Sequence, residues 1–429
     1  MSQRVPDRTE SVFTYSSPQL KFGAGASAEV GHDLRGLGAT RVLLVTDAGV
    51  AAAGAPARIA EQIRACGIAT VVFEGSRVEP TDESVAVAVA FGRDNGPFDA
   101  VVAVGGGSSI DTAKAVNLLT TNPGDLMDYV NLPVGGGRAP VNALAPMIAI
   151  PTTAGTGSES TTVCVLDVLS QKVKTGISHS RLRPTMAVVD PDLTFSQPAG
   201  VTAASGMDIV CHALESYTAR PYTAYDRKQP GKRVPYCGSN PIADMWSEQA
   251  LALVATSFRA AVRDGADAEA RRQMALAATF AGLGFGNAGV HVPHANAYPI
   301  AGQVRQFRAP DYPQAEAMVP HGMAVSLTAP AAFGFTFDAC PQRHIRAAEL
   351  LDPGAERPGD ASTYLPQVLL ALMRDVGIPA GIGAVGYTTG DAHALAAGTM
   401  QQERLLAMSP RELHEEAAVA IFEASVELW

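Results

Sequence analysis

Residues 100–114 read AVVAVGGGSSIDTAK, and this stretch decides the fold. The run from Ala100 to Val104 has no polar alternation, which predicts a strand buried on both faces of a parallel sheet. Gly105-Gly106-Gly107-Ser108 turns that strand into a helix predicted over 108–120. Glycines let backbone amides approach a pyrophosphate closely, and a helix N-terminus favours negative charge. The spacing differs from Gly-x-Gly-x-x-Gly, so the turn alone reads equally as a plain tight connection.

The same alternation extends to either side. Arg41–Thr46, Thr70–Phe73, Met147–Ile150 and Met186–Val189 read as further buried strands, with helices near 54–66 and 82–95 between them. Strands and helices in turn predict an α/β layer. The loop Pro151-Thr152-Thr153-Ala154-Gly155-Thr156-Gly157-Ser158-Glu159 follows one strand and offers hydroxyls to the crevice reached by the Gly-rich turn. Asp47 closes another strand, where an acid binds a ribose diol and repels a 2′-phosphate, or simply caps a helix.

Beyond Pro198 the strand signal fades. Helices are predicted over 202–219, 241–263, 268–284, 320–334, 342–351, 363–375, 391–399 and 411–427. The second is well marked, with Asn240 as its cap and Pro241 in its first turn. The expected division is 1–198 as an α/β dinucleotide-binding domain and 199–429 as an all-helical, metal-binding and catalytic domain. A chain of 429 residues exceeds one hydrophobic core, so two domains suit its length.

Formal net charge is −10, which argues against nucleic acid or an anionic membrane as partner. No stretch approaches the roughly 20 apolar residues of a membrane span. The five scattered cysteines, without Cys-x-x-Cys, predict a reducing compartment and no disulfides. Together with the polar stretch Met1–Glu10, these features predict a soluble, cytoplasmic protein.

Four side chains carry the chemistry. Asp208 and His212 stand four apart, on one face of a helix; His294 and His321 follow downstream. One carboxylate and three imidazoles suit a first-row divalent ion. Cys211, beside His212, points off that face and reads as a buried thiol, and His291 reads as a structural neighbour of His294. The irregular stretch 220–240 holds Arg227, Lys228, Lys232 and Arg233, either as a solvated loop or as a lid for an acidic substrate.

These motifs, taken in order, resemble the iron-containing (group III) alcohol dehydrogenase superfamily: Gly105-Gly106-Gly107-Ser108 with Asp111 and Lys114, Pro151-Thr152-Thr153, Gly206-x-Asp208-x3-His212-Ala213-x-Glu215, a downstream His-x3-aromatic and Pro320-His321-Gly322. The segments 78–82, 211–218, 238–242 and 281–291 are similar to its hydroxyacid–oxoacid transhydrogenase branch. The resemblance covers essentially the whole chain and implies a Rossmann-like nucleotide domain followed by a helical domain, as in dehydroquinate synthase-like folds. It implies Asp208, His212, His294 and His321 as metal ligands. It also implies Gly106, Gly107, Ser108 and Asp111 at the pyrophosphate of NAD, Thr152, Thr156, Thr161, Val165 and Lys174 along ribose and nicotinamide, and Asp47 at the adenosine ribose.

Where many members carry a second histidine four residues after the first, this chain has Tyr298. The implied activity is hydride transfer between NAD(H) and a small hydroxy acid, namely 4-hydroxybutyrate with 2-oxoglutarate as acceptor. The alternative is an alcohol dehydrogenase or aldehyde reductase that releases its cofactor each cycle. Tyr298 and Lys174 are the expected proton-relay residues, with a bound water as a third route. Arg220, Lys228, Arg233, Arg305 and Arg308 are candidates for the substrate carboxylate. Iron is favoured and zinc fits the same donors; a homodimer or larger homo-oligomer is expected from the resemblance.

Overall fold

In the computed structural model, residues 9–171, 173–315 and 317–429 are described, so most of the polar N-terminus read above lies outside the described residues. Eight strands are present: β1 (Gln19–Phe22), β2 (Arg41–Asp47), β3 (Ala69–Ser76), β4 (Ala100–Gly105), β5 (Met147–Pro151), β6 (Val163–Val168), β7 (Val173–Ser178) and β8 (Met186–Val189). Six of them form a parallel sheet in the order β1-β8-β5-β4-β2-β3, and β6 with β7 forms an antiparallel hairpin.

Successive residues of a strand face opposite ways, and that partition builds the layers. On β2, Leu43 and Val45 join one core while Val42 and Leu44 join the other; on β4, Val101 and Ala103 separate from Val102 and Val104 in the same way. The first core is closed by the helices Asp82–Asn95 and Gly107–Thr121, the second by Val30–Gly36 and Ala55–Ala65. Covering both faces is what makes these strands read as unbroken apolar runs. The chain winds outward from β2 to β3, then returns to β4 on the other side of β2, so the order reverses between β2 and β4. Ligands of open α/β sheets bind outside the strand C-termini at such a reversal. Asp47 and Gly105 end the two strands there.

Past β8, no further named strand occurs among the described residues. The helix Pro241–Arg263 is capped as expected, with Asn240 Oδ1 accepting from the Ala243 N–H at 3.1 Å. The helix expected over 320–334 is two, His321–Ser326 and Ala329–Thr336. Pro330, which has no N–H to donate, starts the second. Elements that were not expected include the short edge strand β1, the helices Val30–Gly36 and Ala48–Ala52, the β6–β7 hairpin, and the helix Val292–Gly302.

The residues divide into two compact units that differ from a single cut at 198/199. Of the described residues, the α/β unit comprises those within 17–202 and 264–282; the helical unit comprises 9–16 and those within 203–263 and 283–429. Specific polar anchors account for the exchanged segments. Arg271 donates to Gln197 O and Thr202 Oγ1, both at 2.8 Å, within the α/β unit. In the helical unit, Glu10 pairs with Arg233 at 2.9 Å, and Ser16 exchanges bonds with Asn287. All five cysteines are unpaired, and no single described helix is long and apolar enough to cross a membrane.

Inside the α/β unit, a fully buried lysine sets the loops. Lys114 Nζ donates to Val163 O at 2.7 Å, Thr161 Oγ1 at 3.0 Å and Asp111 Oδ1 at 3.2 Å, while Asp111 Oδ2 accepts from the Val165 N–H at 2.9 Å. Burial pushes the Asp111 carboxyl up and the Lys114 charge pulls against it. Removing one partner of such a pair strands the other's charge. Lys114→Met should therefore cost about 3–5 kcal/mol of stability. Adding Asp111→Asn should recover part of the loss, and denaturant midpoints of the single and double variants check both.

Candidate metal centre and nucleotide loops

Asp208, His212 and Glu215 occupy positions i, i+4 and i+7 of the helix Ala199–Thr218, and so share one face. The helix is buried all round, and close backbone approaches bring its neighbours in. A Cβ on Gly206 would lie 2.0 Å from the Phe258 ring, and one on Gly322 would lie 2.1 Å from Ala204 O. Only hydrogen at Gly322 lets the helix that begins at His321 come this near to Asp208.

The result is a cluster around one carboxylate oxygen. Asp208 Oδ1 lies 3.5 Å from His294 Nε2, 3.7 Å from His212 Nε2 and 3.9 Å from His321 Nε2. Asp208, His294 and His321 offer ligand atoms that all lie within 4.8 Å of one another; His212 joins through its approach to Asp208, its ring stacked on Phe285 and on His294. Asp208 Oδ1 and His294 Nε2 are buried without a hydrogen-bond partner, a costly state for either atom. Bonds of about 2.0–2.2 Å to a shared ion place two ligand atoms roughly 3–3.6 Å apart, close to the spacings seen here. The residues therefore fit a divalent cation.

Charge points the same way. Burial opposes ionisation of Asp208, yet the His212, His321 and His294 imidazoles hold its carboxyl well below the usual range. Burial pushes His212 down to about 3, keeping it the neutral imidazole that can ligate. His294 goes the other way: despite burial, Glu215 and Asp208 push it up to about 9. Two carboxylates around one imidazole call for positive charge at that point, as a proton or as a metal ion.

Glu215 stands in the helix motif that carries the resemblance, but the sequence reading gave it no role. Fully buried, it meets His294 Nδ1 at 2.5 Å through Oε1, and through Oε2 it accepts from the His291 N–H at 2.5 Å. That contact fixes the ring and leaves Nε2 facing Asp208, the usual arrangement behind a metal-binding histidine. Its seven-residue spacing from Asp208 was the available signal. His291 itself turns to Thr218, with Nε2 3.0 Å from Oγ1, and Cys211 is fully buried, its thiol pushed up by burial and by the Glu215 and Asp208 charges. Tyr298, on the helix Val292–Gly302, packs among Phe285, Val290, Ala295 and Leu405, its ring 6.4 Å from that of His321.

In the α/β unit the two expected loops meet. Thr152 N–H donates to Gly105 O at 3.1 Å, and a Cβ on Gly107 would lie 2.8 Å from Thr156 Cγ2. Asp47 caps the helix Ala48–Ala52 by accepting from the Val50 N–H at 3.0 Å, and its second oxygen accepts from Ser109 Oγ at 2.8 Å, across the strand reversal. Asp111, Thr161 and Val165 are tied together through Lys114, as described above. Lys174, almost fully buried on β7, pairs with Glu79 and with Asp167.

Of the basic candidates for a carboxylate, Arg233 is held by Glu10 and Arg305 by Asp391, while Arg220 folds onto Ala224 O and the Tyr225 ring. Lys228 lies over the Tyr225 ring, and Arg308 donates to Gln306 O and Gln314 O.

Glu215→Gln should weaken Zn2+ or Co2+ binding by about 10–100-fold while the fold persists. A proton competes with the ion for His294 Nε2, whose pKa stands near 9, so wild-type ion affinity should fall as pH drops below that value. Ion titrations of both proteins at several pH values check the pair of outcomes, and Gly322→Ala should lower ion content by pushing His321 away.

A family model described as iron-containing alcohol dehydrogenase matches residues 17–191, and one described as Fe-containing alcohol dehydrogenase family, C-terminal, matches residues 236–426. The chain is 44% identical over 427 residues to "Hydroxyacid-oxoacid transhydrogenase, mitochondrial" of Xenopus tropicalis, covering 98% of this chain and 92% of that protein. The Homo sapiens protein of the same name is also 44% identical, with coverage of 98% and 91%. Among solved structures, 1,3-propanediol oxidoreductase superposes with a TM-score of 0.83 at 32% identity, covering 96% of this chain and all of that one. Sulfoacetaldehyde reductase from Bifidobacterium kashiwanohense, in complex with NAD+, superposes with a TM-score of 0.79 at 26% identity, covering 97% and 99%. The cytoplasmic location expected from composition is corrected by these relatives, which are named mitochondrial. Unpaired cysteines and low charge suit any reducing interior and do not report which one. Matched along nearly its whole length, the chain belongs to the iron-containing alcohol dehydrogenase family.

Proposed function

We propose that the chain is a hydroxyacid–oxoacid transhydrogenase, an oxidoreductase that oxidises 4-hydroxybutyrate to succinate semialdehyde and reduces 2-oxoglutarate to 2-hydroxyglutarate with one NAD retained through both halves. The observation that carries this reading is the full-length likeness to relatives of that name. Tyr298, standing where many superfamily members have histidine, agrees with it.

Asp208, His212, His294 and His321 would hold the ion, with Glu215 fixing His294 from behind. Gly106, Gly107, Ser108 and Thr152 would hold NAD through backbone and hydroxyl donors, in loops kept in place by Lys114. Bound there, the ion supplies Lewis acidity toward a substrate oxygen, and NAD supplies the hydride carrier. The chain's own residues position, exclude water and handle the proton. Tyr298, buried beside His321, is the hydroxyl assigned to the proton. Lys174 is less suited to that task, since Glu79 and Asp167 hold its ammonium. For the remote substrate carboxylate, Arg220, Lys228 and Arg308 are the candidates, as none of them pairs with a carboxylate among the described residues.

The second reading, an alcohol dehydrogenase that exchanges NAD with solution each cycle, is favoured by the likeness to 1,3-propanediol oxidoreductase. Incubation of 4-hydroxybutyrate with 2-oxoglutarate and no added NAD separates the two. Formation of 2-hydroxyglutarate supports the transhydrogenase; strict dependence on free NAD supports the alternative. Chelation should abolish turnover and Fe2+ should restore it. Lys228→Met or Arg308→Met should raise KM for the acids by about tenfold while sparing simple alcohols, the scale of one charged contact. A homodimer is part of the same proposal, on the family resemblance, and light scattering decides it.

A further inference from the structure

Glu79 is one of two non-glycine residues with positive φ among the described residues, at +56°. This is an unfavourable place for a side chain with a Cβ, and Pro80 restricts the backbone further. Such outliers persist only where their surroundings hold them, and they concentrate at working sites.

The surroundings are specific. The Glu79 N–H donates to Ser108 Oγ at 3.2 Å, in the first turn after the Gly-rich loop. Its carboxylate pairs with Lys174 on β7. Asp167, the cross-strand partner of Lys174, lies farther off, at 3.4 Å from the ammonium. The segment itself is zipped to the hairpin, because the Asp167 N–H donates to Pro80 O at 2.8 Å. Satisfying the Lys174 charge does not require the strained residue, since Asp167 is already there. Nor does the turn require a glutamate, since glycine or asparagine adopts this backbone at lower cost. Only the combination needs Glu79: a backbone donor aimed at Ser108 and a carboxylate drawing Lys174 away from Asp167.

We propose that Glu79 is a positioning residue for NAD, setting the Ser108 hydroxyl and the Lys174 ammonium in one rigid frame. The proposal rests on the nucleotide reading above. With Glu79 neutralised, Asp167 is the sole carboxylate left to Lys174 in this ion-paired trio, and the ammonium shifts toward it. The Gly-rich loop stays in place, because its amides do not depend on that charge. ADP lacks the nicotinamide riboside that Lys174 is assigned to and so reports on the loop alone.

Calorimetric titration of NADH and ADP into the full-length wild type, Glu79→Gln, Glu79→Asn, Lys174→Met and the double variant E79Q/K174M tests this. Both Glu79 variants should bind NADH about tenfold more weakly, with ADP unchanged, and the double variant should bind NADH no worse than Lys174→Met, as coupled neighbours do. Unaltered NADH affinity in Glu79→Gln overturns the proposal. So does an equal loss for NADH and ADP, which marks a general structural role, or an independent loss added on top of Lys174→Met. A wild type freed of retained NAD that still binds neither nucleotide sinks the NAD reading itself, and the proposal with it.

Discussion

A carboxylate removed from water has to meet positive charge, and the helical unit is organised around that requirement at Asp208. Three imidazole nitrogens lie within 3.9 Å of one of its oxygens, at distances too long for hydrogen bonds. Each is delivered by a different device. His212 comes from the same helix face, His294 from a helix whose approach is fixed by Glu215, and His321 from a short helix admitted by Gly322. The arrangement is costly for a protein to keep without a cation and inexpensive with one. Burying a second carboxylate, Glu215, only two turns along deepens the local demand for positive charge.

The α/β unit solves a related problem at Lys114. Its ammonium, with no exposure, ties the Gly107–Thr121 helix to the start of β6 and neutralises Asp111. The loops that close the strand reversal are therefore set by a buried ion pair and three hydrogen bonds. Nucleotide-facing amides do not have to organise themselves on binding, and that pre-organisation lowers the entropic cost of holding a cofactor.

Much of this was legible because periodicity and punctuation agreed. Unbroken apolar runs located five of the six strands of the parallel sheet, and Asn240-Pro241 located the start of a long helix to the residue. The four metal-type side chains were legible from residue type and order. What escaped had weaker physical signals. In the β6–β7 hairpin the apolar run is only Val163–Leu166 before Asp167 interrupts it, β7 sets Lys174, Thr175 and Gly176 between Val173 and Ile177, and β1 is a short, largely exposed edge. The helix bearing His294 opens on Pro293 and contains Pro299, residues that usually mark a break. Glu215 escaped for another reason: its seven-residue spacing from Asp208 shows which helix face it shares, but its role depends on a partner 79 positions away.

The strap formed by residues 10–16 bears on the order in which the molecule can assemble. Glu10 closes on Arg233 across 223 positions, and Ser16 closes on Asn287 across 271. On a ribosome this strap emerges long before either partner exists, so it waits unpaired until residues 233 and 287 have been made. The α/β unit waits as well, because Arg271 belongs to it and anchors Gln197 and Thr202. Domains usually complete from the N-terminus as they are made. Here the α/β unit is not complete until residue 282 has been made, and the helical unit, which holds the earlier strap, is completed only over residues 283–429.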